Sequence, residues 1–137
     1  MSRLDLATAP DPLDLDAQFG RSAPRVLEIG SGLGDAALLT AAEHPELDYI
    51  AADVHSKGIA RTLLEIERQG LPNLRVLHGD ALDFIVRRIP STSLREILVF
   101  FPDPWPKARH NKRRLVRPEF AAAAVRVLEP GGTLHLA

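Results

Sequence analysis

The sequence predicts a doubly wound α/β sheet, and three observations support that fold class. Short apolar segments alternate with helical segments along most of the chain, a glycine cluster follows the first apolar segment directly, and there is no internal repeat. Strands that alternate with helices at this spacing are typical of a parallel sheet with helices on both faces. A length of 137 residues with 45% hydrophobic residues predicts one domain with a substantial core.

The first elements follow a leader of distinct composition. Residues 1–24 are rich in Asp, Pro and Ala and predict a loose leader, with one short helical turn near Leu15 to Phe19, before a domain over 25–137. Residues 25–29 (RVLEI) are apolar and stopped by glycine, which predicts a strand. Residues 34–42 are rich in Ala and Leu and predict a helix that ends before a proline.

The middle of the chain predicts two strands with a helix between them. Residues 48–52 (DYIAA) predict a strand that ends at Asp53, and residues 74–77 predict the next strand. Ser56 is placed to cap the intervening helix, and Gly70 followed by an apolar residue and a proline is placed to close it. The predicted inward face of this helix carries Ile59, Leu63 and Ile66.

The last part of the chain predicts two more strands. A helix over 81–89 leads through a polar turn to 97–101 (ILVFF), a fully apolar segment typical of a strand buried on both faces. Pro118 begins a helix, because the missing N–H of proline costs nothing there. The predicted buried stripe consists of Phe120, Ala124, Val127 and Leu128. Residues 129–132 predict a turn and 133–137 a fifth strand, in which the sequence stops, so we expect a fragment.

The composition argues against several kinds of site. The chain has no cysteine, which excludes disulfides, thiolate metal sites and thiol nucleophiles. None of its 5 histidines pairs with another ligand at metal spacing on one face, so we expect no metal, and no G-x-S-x-G segment supports serine hydrolysis. No signal-peptide core or membrane span is apparent, which makes the cytoplasm the expected compartment.

The glycine cluster Glu28-Ile29-Gly30-Ser31-Gly32-Leu33-Gly34 is the first candidate site. Glycines directly after a strand let the backbone approach a ligand, and the next helix aims its N–H groups at that ligand. Glu28, two residues before Gly30, would repel a pyrophosphate and attract an ammonium or sulfonium group. The pattern therefore favours S-adenosylmethionine over NAD, and the alternative is a tight turn with Glu28 exposed at a strand end.

Two further acids follow predicted strands. Asp53 lies 23 residues after Gly30, where an acid can accept hydrogen bonds from ribose hydroxyls, and Asp80 is placed to accept from an adenine amino group. The alternatives are a helix cap or a solvated carboxylate for Asp53 and a helix cap for Asp80. With Glu28, these acids predict a nucleoside pocket at the carboxyl edge of the sheet.

The segment after the fourth strand combines an acid with dense positive charge. Pro102 and Pro104 restrict the backbone around Asp103, and residues 107–118 carry six Lys or Arg and no acid. The rest of the chain carries 11 Lys and Arg against 18 Asp and Glu, so the positive charge is local and indicates phosphate contacts. The alternatives are a structural turn in which Asp103 pairs with an arginine, and an exposed charged loop.

Four segments, LEIGSGLG, YIAADVHS, NLRVLHGDA and above all FFPDPWPKARHNKRR, resemble the bacterial TrmB type of the tRNA (guanine-N7)-methyltransferase family. The resemblance implies a Rossmann-like class I methyltransferase sheet, here truncated after the fifth strand, with S-adenosylmethionine as the methyl donor. It implies a guanosine in the tRNA variable loop as the acceptor. The sequence leaves a monomer and a homodimer equally open.

The resemblance also implies roles for individual residues. The cofactor contacts that the resemblance implies are Glu28, Gly30, Gly32, Asp53, Asp80 and Asp103. Asp103 is implied to be the catalytic acid as well, and Lys107 to contact the substrate. The implied tRNA contacts are Arg109, His110, Asn111, Lys112, Arg113 and Arg114. Asp53 stands where family members often have glutamate, and the alternatives to this function are a class I methyltransferase with another substrate and an inactive RNA-binding fragment.

Overall fold

The computed structural model describes residues 2–6, 9, 11–100 and 117–136. Helices and strands alternate along the described residues. In order they are α1 (Leu15–Phe19), β1 (Arg25–Ile29), α2 (Asp35–Glu43), β2 (Asp48–Asp53), α3 (Ser56–Gln69), β3 (Leu74–His78), α4 (Ala81–Arg87), β4 (Leu94–Val99), α5 (Pro118–Val127) and β5 (Leu128–Leu136).

The described strands form one parallel sheet in the order β3-β2-β1-β4-β5. The chain runs outward from β1 to β3 and then crosses back to β4 on the other side of β1. This reversal places the topological switch point between β1 and β4, where the carboxyl ends of the strands border a crevice in open α/β folds. The predicted α/β, Rossmann-like fold class is confirmed.

Both faces of the sheet are buried at β1 and β2, because helices cover each face. Leu27 and Ile29 of β1 face the core that α1, α4 and α5 cover, whereas Val26 faces the core that α2 and α3 cover. All five residues of β1 are buried. Two-sided burial explains why β1 and β2 read as nearly continuous apolar segments in the sequence.

The helix α3 shows how local sequence determines an element. Ile59 and Ile66 are buried and Leu63 is partly buried, as the spacing predicted. Gly70 takes the left-handed conformation at a φ of 65°, and its N–H donates to the Ile66 carbonyl. The predicted cap is wrong by one residue, because Ser56 is the first helical residue and His55 occupies the cap position without a side-chain bond to the helix.

The strands on the other side of β1 differ from the prediction at their starts. β4 begins at Leu94, before the apolar run, because its first residues already pair with β5, Leu94 with Leu128 and Glu96 with Thr133. Residues 129–132, predicted as a turn, lie inside β5. The pairing shifts register between Leu94 and Glu96, and this irregularity accommodates Gly131 at a φ of 82°.

The described part of the leader packs against the domain. Arg3 forms a parallel bridge with Val76, with the Leu4 N–H 3.1 Å from the Val76 carbonyl and the Val76 N–H 2.8 Å from the Ser2 carbonyl. Leu4 and Leu13 are buried in the core beside α4. A composition rich in Asp and Pro conceals these few apolar contacts, which is why the sequence predicts a loose leader.

Candidate functional site

The glycine cluster forms a tight loop between β1 and α2. Gly30, Gly32 and Gly34 have φ values of 83°, 58° and 87°, a region that strains residues with a side chain. The N–H groups of Gly30 and Ser31 both donate to the Ala52 carbonyl, at 2.8 and 3.2 Å. The loop is therefore fixed to the end of β2, at the carboxyl edge of the sheet beside the switch point.

Asp53, the last residue of β2, holds the same loop through its side chain. Its Oδ2 accepts a hydrogen bond from the Gly32 N–H at 2.7 Å. Its Oδ1 accepts from the His55 N–H at 2.9 Å and lies 2.7 Å from the His55 Nδ1. The side chain is 3% exposed, so these bonds form in a poorly hydrated place where hydrogen bonds to a charged group are strong. The carboxylate joins the glycine loop to the turn before α3, and its contact with a ribose stays a prediction.

Glu28 lies inside β1 rather than at an exposed strand end. The residue is 1% exposed, and the Tyr49 hydroxyl donates to its Oε1 at 2.5 Å. Desolvation by burial raises the pKa of the Glu28 carboxyl, the Tyr49 hydrogen bond opposes that rise, and the nearby Asp53 charge adds to it. The structure thus places a buried acid close to a second acid, which excludes the alternative of an exposed Glu28.

Asp80 caps α4. Its carboxylate accepts a hydrogen bond from the Leu82 N–H at 3.0 Å. The Gly79 N–H donates to the Asp53 carbonyl at 3.0 Å, which ties the end of β3 to the end of β2. The capping role left open by the sequence is observed, and the contact with adenine stays a prediction.

The remaining predicted residues lie outside the described residues. They are Asp103, Lys107, Arg109, His110, Asn111, Lys112, Arg113 and Arg114. The structure describes the approach to them: Phe100 follows β4, and its N–H donates to the Ile29 carbonyl at 2.9 Å. The end of β4 therefore lies beside the start of the glycine loop, on the edge that carries Asp53 and Asp80.

Two findings concern groups that the sequence did not assign. His55 bonds Asp53, and the His78 Nε2 lies 3.1 Å from the Val54 carbonyl, so both histidines belong to the strand ends around the site. The Asp-x-His spacing was the only available signal for the first contact.

Within the described ranges, no cluster of three His, Asp or Glu could hold a metal ion. None of the helices described is long and apolar enough to cross a membrane.

Residues 22–137 match the model of a protein family described as "Putative methyltransferase". The chain belongs to this methyltransferase family. It is 50% identical over 134 residues to a tRNA (guanine-N(7)-)-methyltransferase from Alkalilimnicola ehrlichii, a match that covers 98% of this chain and 56% of the relative. It is 47% identical over 137 residues to the protein of that name from Nitrosomonas eutropha, covering 100% of this chain and 61% of the relative. The resemblance predicted from the four motifs is confirmed.

The chain spans a little over half the length of these methyltransferases. Among solved structures, the antibiotic-resistance methyltransferase Kmr matches with a TM-score of 0.66 at 18% identity, over 99% of this chain and 70% of that one. At this identity the match shows a shared fold. The fold shared with this solved structure is therefore consistent with the match to the methyltransferase family model.

Proposed function

We propose that this protein transfers a methyl group from S-adenosylmethionine to N7 of a guanosine in the variable loop of tRNA. The observation that carries the proposal is the glycine loop of a methyltransferase family member, which is fixed to Ala52 and Asp53 at the end of β2, beside the switch point. A class I methyltransferase with another substrate would share this loop. The segment FPDPWPKARHNKRR favours tRNA, because it resembles one family only.

The described residues fit the proposed cofactor. The Ser31 Oγ is buried in the glycine loop and has no hydrogen-bond partner among the described residues, as expected of a group that a ligand completes. Gly32 has open space where a Cβ would point, so a ligand atom can approach the backbone there. We assign cofactor binding to Gly30, Gly32 and Asp53, with Glu28 and Asp80 contributing through charge and position.

The charges near the loop favour a cation. Glu28 and Asp53 are both poorly hydrated, and the Asp53 charge raises the pKa of Glu28. A positively charged ligand beside them relieves this repulsion, whereas a pyrophosphate increases it. Bound S-adenosylmethionine supplies an electrophilic methyl group on a sulfonium. The acids of this chain stabilise that charge without donating or accepting a proton.

The acceptor side of the proposal needs no general base. N7 of guanine has an in-plane lone pair and carries no proton, so the protein has only to align it and balance the charge that develops on the purine. We assign that charge balance to Asp103, which is also suited to accept from the N1 and amino donors of guanine. Lys107 is assigned to the substrate, and residues 109–114 to the phosphate backbone of the tRNA.

The decisive experiment follows labelled methyl groups from S-adenosylmethionine. The purified chain is incubated with bulk tRNA, protein and small-molecule acceptors, and nucleosides from the tRNA are identified by mass spectrometry. Label in N7-methylguanosine supports the proposal. Label in another product supports a methyltransferase with another substrate. Binding of tRNA without binding of S-adenosylmethionine and without transfer to any acceptor supports an inactive RNA-binding fragment.

Two sets of variants separate the chemistry from RNA binding. Asp103→Ala is expected to abolish methyl transfer while S-adenosylhomocysteine affinity stays within threefold of the wild type, and undiminished turnover would refute the assignment. Arg113→Ala with Arg114→Ala is expected to weaken tRNA binding and flatten its dependence on salt, because fewer counterions are released. The matched control is Arg68→Ala with Arg87→Ala, since this pair also removes two exposed positive charges, one on α3 and one on α4.

A further inference from the structure

The glycine loop rests on α3 through a contact between two backbones. An ideal Cβ built on Gly58 would lie 2.0 Å from the Gly32 carbonyl oxygen and 2.8 Å from its carbon. Distances under 3.0 Å are essentially never seen for a real Cβ, so a side chain at this position would have to displace the loop by about 1 Å. Gly58 therefore leaves a notch in the first turn of α3 that receives the loop.

A threonine one turn later completes this notch. Thr62 is 1% exposed, and its hydroxyl donates to the Gly58 carbonyl at 2.8 Å. A Cβ built on Gly34 would lie 2.2 Å from the Thr62 Oγ1, so the other end of the loop also fits against α3 without space to spare. The two contacts join the glycine loop to α3 at Gly32 and at Gly34.

These contacts are not required by α3 itself. Glycine within a helix is less favourable than alanine by roughly 0.5–1 kcal/mol, because it loses more backbone freedom on folding. Gly58 is the third residue of a helix of 14 residues, and it faces the glycine loop rather than a turn that needs positive φ. Alanine at this position would stabilise the helix itself, but its side chain would displace the glycine loop.

We propose that Gly58 and Thr62 are positioning residues for the cofactor, which set the height of the glycine loop above the ends of β1 and β2. This inference rests on the proposed binding of S-adenosylmethionine by that loop. In a catalytic site, a misplacement of about 1 Å can cost about 100-fold in rate. A displaced glycine loop has to be pushed back before it meets its ligand, so the same geometric error weakens binding. We therefore expect Gly58→Ala to weaken the binding of S-adenosylhomocysteine by at least tenfold, while the chain stays folded.

The experiment measures the loop with and without ligand. In the ligand-free protein, hydrogen exchange of the Gly32 amide reports its bond to Asp53, and this exchange is expected to accelerate at least tenfold in Gly58→Ala. Titration calorimetry with S-adenosylhomocysteine then gives the affinity, and thermal unfolding gives the stability. Lys57→Ala is the matched control, because it replaces an exposed neighbour on the same helix and leaves the notch intact.

A second variant tests the notch without adding atoms. Thr62→Val keeps the shape of the side chain and removes its hydroxyl, so the Gly32 amide is expected to exchange faster than in the Lys57→Ala control. The inference is overturned if Gly58→Ala and Thr62→Val leave both Gly32 exchange and ligand affinity at control values. If Gly32 exchange accelerates and the wild type binds no S-adenosylhomocysteine, the positioning of the loop is supported and the proposed cofactor is refuted.

Discussion

The buried pair of Tyr49 and Glu28 gives the sharpest test of the electrostatics beside the glycine loop. Tyr49→Phe removes only the hydroxyl that donates to Glu28 Oε1 at 2.5 Å. Both residues are 1% exposed, so water does not replace the lost donor. A hydrogen bond to a charged group contributes about 1.5–3 kcal/mol, and we expect the variant to lose about 2 kcal/mol of unfolding free energy at pH 8.

The loss is expected to depend on pH, in a direction fixed by the pKa of Glu28. Burial raises this pKa in the folded protein above its ordinary value of 4.5, so the folded state binds a proton more readily than the unfolded state. This contribution destabilises the fold above the folded-state pKa and diminishes as the pH falls through it. The Tyr49 hydroxyl lowers the pKa of Glu28, so Tyr49→Phe raises it further, and the cost of the variant shrinks toward acid pH.

The assay is urea unfolding of the wild type and Tyr49→Phe between pH 5 and pH 8, followed by circular dichroism. Glu28→Gln is the control background, since it keeps an acceptor and cannot titrate. In that background the Tyr49→Phe cost is expected to be about 1 kcal/mol, typical of a neutral hydrogen bond, and independent of pH. An equal cost at both ends of the pH range in the Glu28 protein would refute the role of the charged carboxylate.

Three further outcomes follow from described contacts. Asp80→Ala is expected to lower the unfolding free energy by about 1 kcal/mol in a denaturation experiment, and Asp80→Asn by much less, because asparagine also caps a helix. Asp48→Ala is expected to lower the unfolding free energy by about 3 kcal/mol, because the Asp48 side chain is 0% exposed and pairs with the buried Arg25. Loss of the exposed ion pair between Asp83 and Arg87 is expected to lower it by less than about 0.5 kcal/mol. Tyr49 is the sole tyrosine of the sequence, and burial raises its pKa above the ordinary value of 10.0. In an alkaline titration we therefore expect tyrosinate absorbance to appear only as the protein unfolds. Tyrosinate absorbance in the folded protein near pH 10 would contradict the burial of Tyr49.

The sequence predicted the fold well because its signals are local. The strands β1 to β4 each contain a short apolar run, Gly70 marks the end of α3, and Pro118 marks the start of α5. The errors fall where tertiary pairing decides the conformation. The Pro-Gly-Gly segment that favours a turn is drawn into β5 by pairing with β4, and the leader is ordered by a bridge to β3.

The sequence predicted where the acids of the candidate site lie better than it predicted which groups they contact. The order of acids along the chain located Asp53 and Asp80 at strand ends, because parallel strands bring these ends to one edge. No pattern in the sequence shows that Asp53 holds the Gly32 N–H, or that Glu28 meets a tyrosine from the next strand. The sequence contains no signal for Gly58 for a related reason. Its proposed role depends on the absence of a side chain where α3 meets the backbone of Gly32, 26 residues earlier in the chain.

The bridge between Arg3 and Val76 has a consequence for the order of events during synthesis. The two residues lie 73 positions apart, and at about 5–20 residues per second a ribosome needs roughly 4–15 s to add the intervening chain. During that time residues 2–6 have no strand to pair with, and afterwards they cover the outer edge of β3. A nascent chain is thus expected to lose protease sensitivity in this segment only after β3 has emerged.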